Sequence, residues 1–547
     1  MALALRLTRR ELLVAGGLTV GAAALAAATS PARAQQQPKR GGTVTLRGVD
    51  PPHWDPMLTS SFKTQSALSF THSRLMKHRA GPDVAPGTFP LEGDLAESWK
   101  RTGETTWEFK LRRGVRWQPK PPVNGRELTA EDVKYSVERF LTVPGNAYAY
   151  MLKLVERVEA PDKSTVRFTL KEPFAWFLDV LANPMAVAIV ARECVEKFGD
   201  LKKPEACVGS GPWMLESYRP NQGSTFVRNP NYYVPNQPYI DRIEWIVDED
   251  SASRMSSFLA GKYDIGYNDA LIFRTEWNQL KDALKQKRPH LRVTEIIHNI
   301  VSHLYMRSDK PPFNDPRVRQ AIALAIDRDE IMTATLDGTG AQNPPIPAGL
   351  KEWSLPVEKL GEGARYYKRN VAEAKRLLAA AGHPNGFPVS ICFTTYGSSI
   401  LVDQMTLILR HLKDVGIDAK LDQKEYGAYF STCFQGKYES MAFGPQTPFL
   451  DPDNILYSLY MPGELRNHGH VNDPVATDLI ARQRRTFDVA KRRELIYEVQ
   501  RHLAKQQYYV TVGSSLSAAV WESSLKNYGP NFGYDAGGRL IAAWLDR

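Results

Sequence analysis

The sequence predicts a mixed α/β protein built from several lobes. At 547 residues the chain is long enough for three or four structural units, because a domain commonly holds about 150 residues. Its 43% hydrophobic and 24% charged residues are typical of a globular protein and exclude a disordered or collagen-like chain. Strand-type and helix-type patterns alternate irregularly, without a strict βαβ rhythm or an internal repeat.

The first 34 residues have the pattern of an export signal. Arginines within the first ten residues precede a long apolar stretch over 12–28, and a small-x-small triplet ends at Ala34. We therefore expect cleavage before Gln35 and a mature protein that is soluble, in the periplasm. A transmembrane anchor is the alternative interpretation of the apolar stretch.

The export route is predicted from a pair of arginines. Arg9 and Arg10, followed by Glu-Leu-Leu, resemble the twin-arginine signal, whose substrates cross the membrane already folded. Val14 stands where that signal usually has Lys, so general secretion is the alternative route.

Three segments are predicted to form β-strands. The first follows a polar leader, and the other two have the alternation of half-buried strands. In chain order they are Thr43–Leu46, Thr106–Leu111 and Thr165–Leu170.

Three helices are predicted from their capping residues. Thr129 begins the first, and Asp315-Pro316 opens the second, because Asp caps a helix well and Pro suits its first turn. Asn370 caps the third, which ends at Gly382. The first two each carry an apolar stripe at helical spacing, which is expected to be buried.

Four cysteines are too few for a disulfide-built scaffold. Cys194 and Cys207 enclose a short polar loop, and we expect them to form a disulfide in an oxidising compartment. Cys392 and Cys433 are interpreted either as a second bridge or as two buried thiols. No C-x-x-C occurs, so neither a zinc ribbon nor a thioredoxin-like site is predicted.

The motifs that signal catalysis or nucleotide binding are missing. The sequence has no P-loop, no complete dinucleotide fingerprint, no nucleophile elbow and no H-E-x-x-H. Basic residues are interspersed with acidic ones, which favours a solvated surface over nucleic-acid binding. We therefore expect a protein that is not an enzyme, needs no cofactor and binds no nucleic acid.

Two short segments that resemble metal sites are better explained as loops. His468-Gly469-His470 lacks a supporting carboxylate or thiol, and we interpret it as a solvated loop. The segment that begins with Asp451 lacks the later ligands of a calcium loop, so we expect a turn that caps the next apolar segment. No metal site is predicted.

Five stretches in order resemble the peptide-type solute-binding proteins of ABC importers, the family of dipeptide-, oligopeptide- and nickel-binding proteins. The stretches are GGTV with WDP, DLAESW through LRRGVRW to LTAEDVKYS, VGSGPWMLESY with RNPNYY and SSFLAGKYDI, FNDPRVRQAIALAIDRDEI, and NVAEAKRLLAAAG. Each stretch alone is weak, but the ordered set is specific and covers the chain from Gly41 to its end.

The resemblance implies a two-lobe, Venus-flytrap fold of the large class. Lobe I would comprise 35–72, 207–298 and 507–547, and lobe II would comprise 299–506. An extra subdomain over 73–206 would pack on lobe I. Two chain crossings near Ile300 and Tyr509 would form the hinge.

Binding residues are carried over from the family where the local motif matches. Tyr267-Asn268 matches a pair that hydrogen-bonds the ligand backbone, and Tyr148 matches an aromatic lining from the extra subdomain. Ser61 and Phe62 belong to a loop, beginning at Ser60, that pairs along the ligand.

The second lobe supplies the remaining matches. Phe443 and Gly444 correspond to a Gly-Trp stretch of the family. Peptide-binding members place an Asp a few residues later for the ligand's α-ammonium, whereas here that position falls near Gln446 or Thr447. Asp451 can take the place of that Asp only if its carboxylate is not engaged in the turn that it begins. The missing charge makes a free-amine peptide a less secure ligand.

The function implied is a monomeric periplasmic receptor that captures an organic solute, peptide by default, and delivers it to an ABC permease complex. Alternatives are a receptor for an opine-like compound, an oligosaccharide or a metal chelate, and an exported hydrolase. The metal-chelate alternative requires a histidine in the cleft, from His303, His468 or His470.

Overall fold

The computed structural model describes residues 37–547 except 60, 249, 267–273 and 396–398. Residues Lys39–Arg547 form one compact unit. Across the described ranges, none of the helices is both long and apolar enough to span a bilayer.

The elements alternate between strands and helices without a simple repeat. The strands are β1 Thr43–Gly48, β2 Met76–His78, β3 Leu91–Gly93, β4 Ala96–Arg101, β5 Thr106–Leu111, β6 Val155–Asp162, β7 Thr165–Leu170, β8 Trp213–Arg219, β9 Gly223–Arg228, β10 Arg242–Val247, β11 Arg292–Ile297, β12 Ser302–Met306, β13 Pro388–Phe393, β14 Asp418–Gln423, β15 Met441–Pro445, β16 Tyr509–Thr511, β17 Leu516–Trp521, β18 Leu525–Lys526 and β19 Trp544–Leu545. The helices are α1 Phe62–Leu68, α2 Ala130–Thr142, α3 Phe177–Ala182, α4 Arg192–Phe198, α5 Ser251–Leu259, α6 Arg274–Lys287, α7 Pro316–Ala325, α8 Arg328–Leu336, α9 Val371–Ala380, α10 Ser399–Asp414, α11 Tyr426–Ser431, α12 Pro452–Tyr460, α13 Pro474–Arg485 and α14 Val489–Gln506.

The first lobe is assembled from distant parts of the chain. Its sheet has the order β1-β10-β9-β8, with β1 parallel to β10 and the other neighbours antiparallel. The pair β11-β17 joins it through single bridges from Ile265 to Leu46 and to Trp521. The amino-terminal strand, the middle of the chain and the carboxyl-terminal strand therefore share one lobe.

The inserted subdomain has its own antiparallel sheet, β4-β5-β7-β6. The predicted strands over 106–111 and 165–170 are confirmed as β5 and β7, and α2 begins after Thr129 as predicted. Phe109, Phe168 and Phe177 form its aromatic core, with ring centroids 5.1 to 6.3 Å apart.

A buried ion pair fixes the subdomain to the first lobe. Asp55, with no exposed surface, accepts hydrogen bonds from Arg139 of α2 at 2.6 and 3.1 Å. It also accepts from the backbone N–H groups of Met57 and Leu201 at 2.9 and 3.1 Å. Because the carboxylate is fully hydrogen-bonded, the cost of burying it is offset.

The second lobe contains a five-stranded mixed sheet, β14-β13-β15-β12-β16. The predicted helices α7 and α9 pack on one face with α10, around a core that includes Ile322, Leu378 and Ile391. Asp315 and Asn370 cap α7 and α9 through backbone N–H groups at 2.8 and 3.0 Å, as predicted.

The two crossings between the lobes lie side by side. One runs between β11 and β12, and the other between β16 and β17. Ser514 Oγ donates to the carbonyl of Ile300 at 3.0 Å, and His298 N donates to the carbonyl of Ser515 at 3.0 Å. The second crossing lies later than predicted, because Tyr509–Thr511 pairs with β12 inside the second lobe.

The predicted disulfide between Cys194 and Cys207 is wrong. Both are free, buried thiols, and Cys207 Sγ lies 3.4 Å from the hydroxyl of Thr71. The disulfide joins Cys392 of β13 to Cys433 instead. Sequence proximity suggested the first pair, whereas the fold brings the second pair, 41 residues apart, to a Cα–Cα distance of 6.2 Å.

The subdomain also contacts the second lobe, which the sequence did not predict. Ala175 N donates to the carbonyl of Arg484 at 2.6 Å, and Trp176 Nε1 donates to Gln483 Oε1 at 2.7 Å. We call this contact between the subdomain and α13 and α14 the seam. It joins structural units that the chain crossings alone would leave hinged.

Candidate ligand-binding site

The loop after the Asp55 turn supplies an accessible aromatic ring. Ser61 caps α1 by accepting from Lys63 N at 3.3 Å, which fixes Phe62 at the first position of the helix. The Phe62 ring is 38% exposed and stacks on Tyr534 with centroids 5.0 Å apart. This places two aromatic rings of the first lobe where a solute can contact them. Ser60 lies outside the described residues.

Tyr267 and Asn268 also lie outside the described residues. The chain that leads to them is fixed on the first lobe, because Asp264 accepts from Thr45 N at 2.8 Å and pairs with Arg547 at 2.9 Å. Their role as ligand contacts remains a prediction.

Tyr148 lies between the subdomain and the second lobe. Only 2% of the residue is exposed, and its hydroxyl hydrogen-bonds to Arg466. Burial raises the pKa of the Tyr148 hydroxyl above its ordinary value, so it remains a neutral donor and acceptor. The residue is therefore held against the second lobe by a polar contact.

The predicted contact through Phe443 is wrong. Phe443 lies on β15 with no exposed surface, and its ring packs 6.2 Å from that of Phe393 in the core of the second lobe. Successive strand side chains point to opposite faces, so the position of Phe443 on β15 places it inward. Gly444 pairs with His303 of β12 in the same sheet.

Gln446 is a buried residue whose side-chain amide forms no hydrogen bond with the described residues. It is 3% exposed, and its backbone N–H donates to the carbonyl of Val301 at 2.7 Å, beside the first crossing. Among the described residues, neither Nε2 nor Oε1 of its amide has a hydrogen-bond partner. A buried unpaired polar group costs about 1–3 kcal/mol, so such a group is expected where a ligand completes its hydrogen bonds.

Arg466 lies beside Thr447, and sequence reasoning did not single it out. Its guanidinium donates to Thr447 Oγ1 at 2.6 Å and lies 5.5 and 5.3 Å from the ring centroids of Phe434 and Phe449. Arg466 follows Thr447 by about 20 positions, in a turn-rich segment with no motif. Only the contacts in the folded protein reveal its place.

Asp451 is confirmed as a helix cap rather than a free carboxylate. It accepts from Asn454 N at 2.8 Å and from Asn454 Nδ2 at 2.6 Å at the start of α12. Burial, reinforced by Asp453, raises the pKa of Asp451 to about 6. Its oxygens are engaged within the second lobe, so it does not replace the acid that peptide-binding members use.

The three histidines named for a metal chelate lie inside the second lobe or on its surface. Burial lowers the pKa of His303 and of His468 to about 3, so both rings are neutral. His470 Nε2 contacts the carbonyl of Gly436 at 2.8 Å. Over the described part of the chain, no group of three or more His, Cys, Asp or Glu side chains is arranged to hold a metal ion.

Comparison with known proteins places the chain in a family. The model of bacterial extracellular solute-binding proteins, family 5 Middle, matches residues 90–467. The probable D,D-dipeptide-binding periplasmic protein DdpA of Escherichia coli K12 is 31% identical over 416 residues, which cover 74% of this chain and 75% of that protein. The chain therefore belongs to the family 5 extracellular solute-binding proteins, the binding components of ABC importers.

Two solved structures resemble the fold. The periplasmic binding protein DppA from Helicobacter pylori, in complex with the peptide STSA, has a TM-score of 0.75 at 25% identity and covers 93% of this chain and 99% of its own. The binding protein AgaA from A. tumefaciens R10, in complex with agropinic acid, has a TM-score of 0.75 at 24% identity and covers 92% and 99%. The two-lobe periplasmic-binding-protein fold is thus confirmed.

Proposed function

We propose that this protein is an exported receptor that captures an organic solute between its two lobes and delivers it to an ABC permease. The observation that carries the proposal is the unpartnered amide of Gln446, buried beside the interlobe crossing. In a hinge protein, a ligand favours the closed state by the contacts that only this state provides. Gln446 supplies such a contact from the second lobe.

The cleft combines aromatic rings with a few polar groups. Phe62 and Tyr534 contribute from the first lobe, Tyr148 from the subdomain, and Gln446 from the second lobe. Stacked rings bury apolar parts of a ligand, while an amide fixes its orientation. This mixture suits a medium-sized organic solute better than a bare ion.

The relatives support two ligand classes. Peptides are named for DdpA and for the DppA complex, and an opine-type acid is named for the AgaA complex. A peptide remains the default, and an opine-like acid is the second candidate. The relatives are binding proteins, which favours a receptor over an exported hydrolase.

The test is native mass spectrometry of the protein isolated from its own periplasm without denaturation. We expect one solute per chain, released on unfolding. A Phe62→Ala variant should retain less solute, because it removes an exposed stacking ring. Val475→Ala is the matched control, since Val475 is 53% exposed on α13. Turnover of a peptide or glycoside by the purified protein would instead favour a hydrolase.

A further inference from the structure

Arg466 has no acidic partner in the part of the chain that the structure describes. Both nearby acids are engaged elsewhere: Asp451 caps α12, and Glu464 pairs with Lys153 of the subdomain. Arg466 is half-buried, and its partners among the described residues are neutral oxygens, those of Thr447 and Tyr148. A partly buried guanidinium is stabilised far better by an anion than by hydroxyl groups.

The aromatic rings around Arg466 hold the guanidinium in place. Phe434 and Phe449 both lie within 6 Å of it, a distance at which a cation is attracted to the face of a ring. Phe449 is itself fixed, because its carbonyl accepts from Asn299 Nδ2 at 2.6 Å. The cation is therefore preorganised, with donor groups left over after its bond to Thr447.

Further unpartnered polar atoms lie around the same loop. The amide of Gln446, next to Thr447 in the chain, lacks partners at both Nε2 and Oε1. Asn299 Oδ1 and the Tyr150 hydroxyl oxygen are likewise buried without a partner. Of these groups, the Gln446 NH₂ and the Tyr150 O–H can donate, whereas Asn299 Oδ1 can only accept. One cation and two unpaired donors, with the nearby acids engaged elsewhere, favour a negative ligand group.

We propose that Arg466 and Gln446 form a subsite that binds a carboxylate of the transported solute. The planar guanidinium matches a carboxylate in two parallel hydrogen bonds, and the Gln446 NH₂ adds a neutral donor. An ammonium group at the same place would face the charge of Arg466 without a compensating acid. The ligand class is thus an organic acid whose carboxylate faces the second lobe, with no requirement for a free α-amine there. The inference rests on the proposed function and deepens it.

The experiment compares solute occupancy of the wild type with that of Arg466→Gln. Both proteins are isolated from the periplasm, and the solutes released on unfolding are identified by mass spectrometry. We expect the wild-type solute to carry a carboxylate and its affinity to fall at least about tenfold in Arg466→Gln, as loss of a charged hydrogen bond implies. Arg466→Lys, which keeps the charge but loses the planar fork, should lie between the two.

The matched control is Arg192→Gln. Arg192 lies 4.7 Å from the ring centroid of Tyr135 within the subdomain, so this variant removes the same charge and another cation–aromatic contact away from the seam. It should leave occupancy unchanged. Gln446→Leu provides a second test that is insensitive to folding defects, because it removes an amide with no protein partner. It should fold normally and bind at least about tenfold more weakly.

If the wild type is isolated without a bound solute, calorimetry with four probe compounds tests whether the subsite binds a carboxylate. The probes are the peptide STSA, its N-acetyl form, its C-terminal amide, and agropinic acid. The inference expects acetylation to be tolerated and amidation to weaken binding, or agropinic acid to bind in an Arg466-dependent way.

Two results would overturn the inference and leave the proposed function standing. One is a bound solute without a carboxylate, and the other is a bound acid whose occupancy Arg466→Gln does not change. Failure of every carboxylate probe at about 1 mM, with no solute isolated, overturns both.

Discussion

Asp179 of α3 faces a cluster of charged groups at the seam. Asp451 and Asp453 lie near it, with Arg484 and Arg492 as the nearby cations. Burial, with Asp451 as the second cause, raises the pKa of Asp179 to about 7. The residue as a whole is only partly buried, although its carboxyl lies deep. The folded state therefore holds a proton on Asp179 that the unfolded state has released.

The sign of the resulting pH dependence follows from proton linkage. Asp179 ionises near pH 3.8 in the unfolded chain and near pH 7 in the folded one. Between these values the folded state binds more protons, so the contribution of Asp179 to stability is present at low pH and is lost as the pH rises to about 7.

We predict that Asp179→Asn is more stable than the wild type above pH 7, by about 1–2 kcal/mol after allowance for solvent screening. The difference should shrink as the pH is lowered from about 7 to about 5. Chemical denaturation at several pH values measures it. Asp478→Asn, at an exposed position of α13, is the control and should show a constant difference. A pH-independent gain in Asp179→Asn would contradict the assigned cause.

The disulfide acts at the scale of elements by connecting a central strand to a distant loop. Cys392 on β13 pairs with Ala442 of β15, and Cys433 precedes β15 in the chain. The bond therefore joins the two ends of the segment that contains α10, β14 and α11. Cross-linking a loop of this length chiefly restricts the unfolded chain.

We predict that Cys433→Ala lowers the free energy of unfolding by about 2–4 kcal/mol under oxidising conditions. A reductant should lower the Tm of the wild type but leave that of Cys433→Ala unchanged. Cys194→Ala is the control, because Cys194 is a free buried thiol and the variant should keep the response to reductant. Loss of that response in Cys194→Ala would instead indicate that Cys194 is bridged.

At the scale of the whole molecule, the seam joins the subdomain to the second lobe. Arg485 of the second lobe donates through Nε to Glu172 of the subdomain at 3.1 Å, and Arg492 donates to the carbonyl of Ala175 at 3.1 Å. If these contacts form only when the lobes close, they stabilise the ligand-bound state without touching the ligand. The free energy of these seam contacts then contributes to the measured affinity for the solute.

We predict that Glu172→Arg weakens solute binding about two- to fivefold, because an exposed ion pair becomes a repulsion of like charges. Adding Arg485→Glu should restore affinity by reversing both charges. Calorimetry with the solute identified in the wild type provides the measurement.

The control for the seam prediction is Glu373→Arg. Glu373 pairs with Arg376 within α9, away from the seam, so affinity should be unchanged. An equal loss in Glu373→Arg, or no recovery in the double variant, would contradict coupling through the seam.

The sequence by itself determined the local elements and the family. Caps such as Asp315 and Asn370 act within one helical turn, and alternation within β5 and β7 is also local, so these features were predictable from neighbouring residues. The family resemblance singled out Gln446 as a candidate site residue, and this role stays a prediction. Its orphaned amide, which gives the position physical meaning, was visible only in the structure.

Tertiary structure alone decided the features that depend on distant residues. The position of Phe443 on β15 places its side chain in the core of the second lobe. The fold brings Cys392 and Cys433 together, and packing places Arg466 beside Thr447. A strand shifted by one residue presents its side chains to the opposite face, and pairings between distant residues leave no local pattern. For that reason the sequence identified a solute receptor, while the charge that we propose selects its solute emerged only from the folded chain.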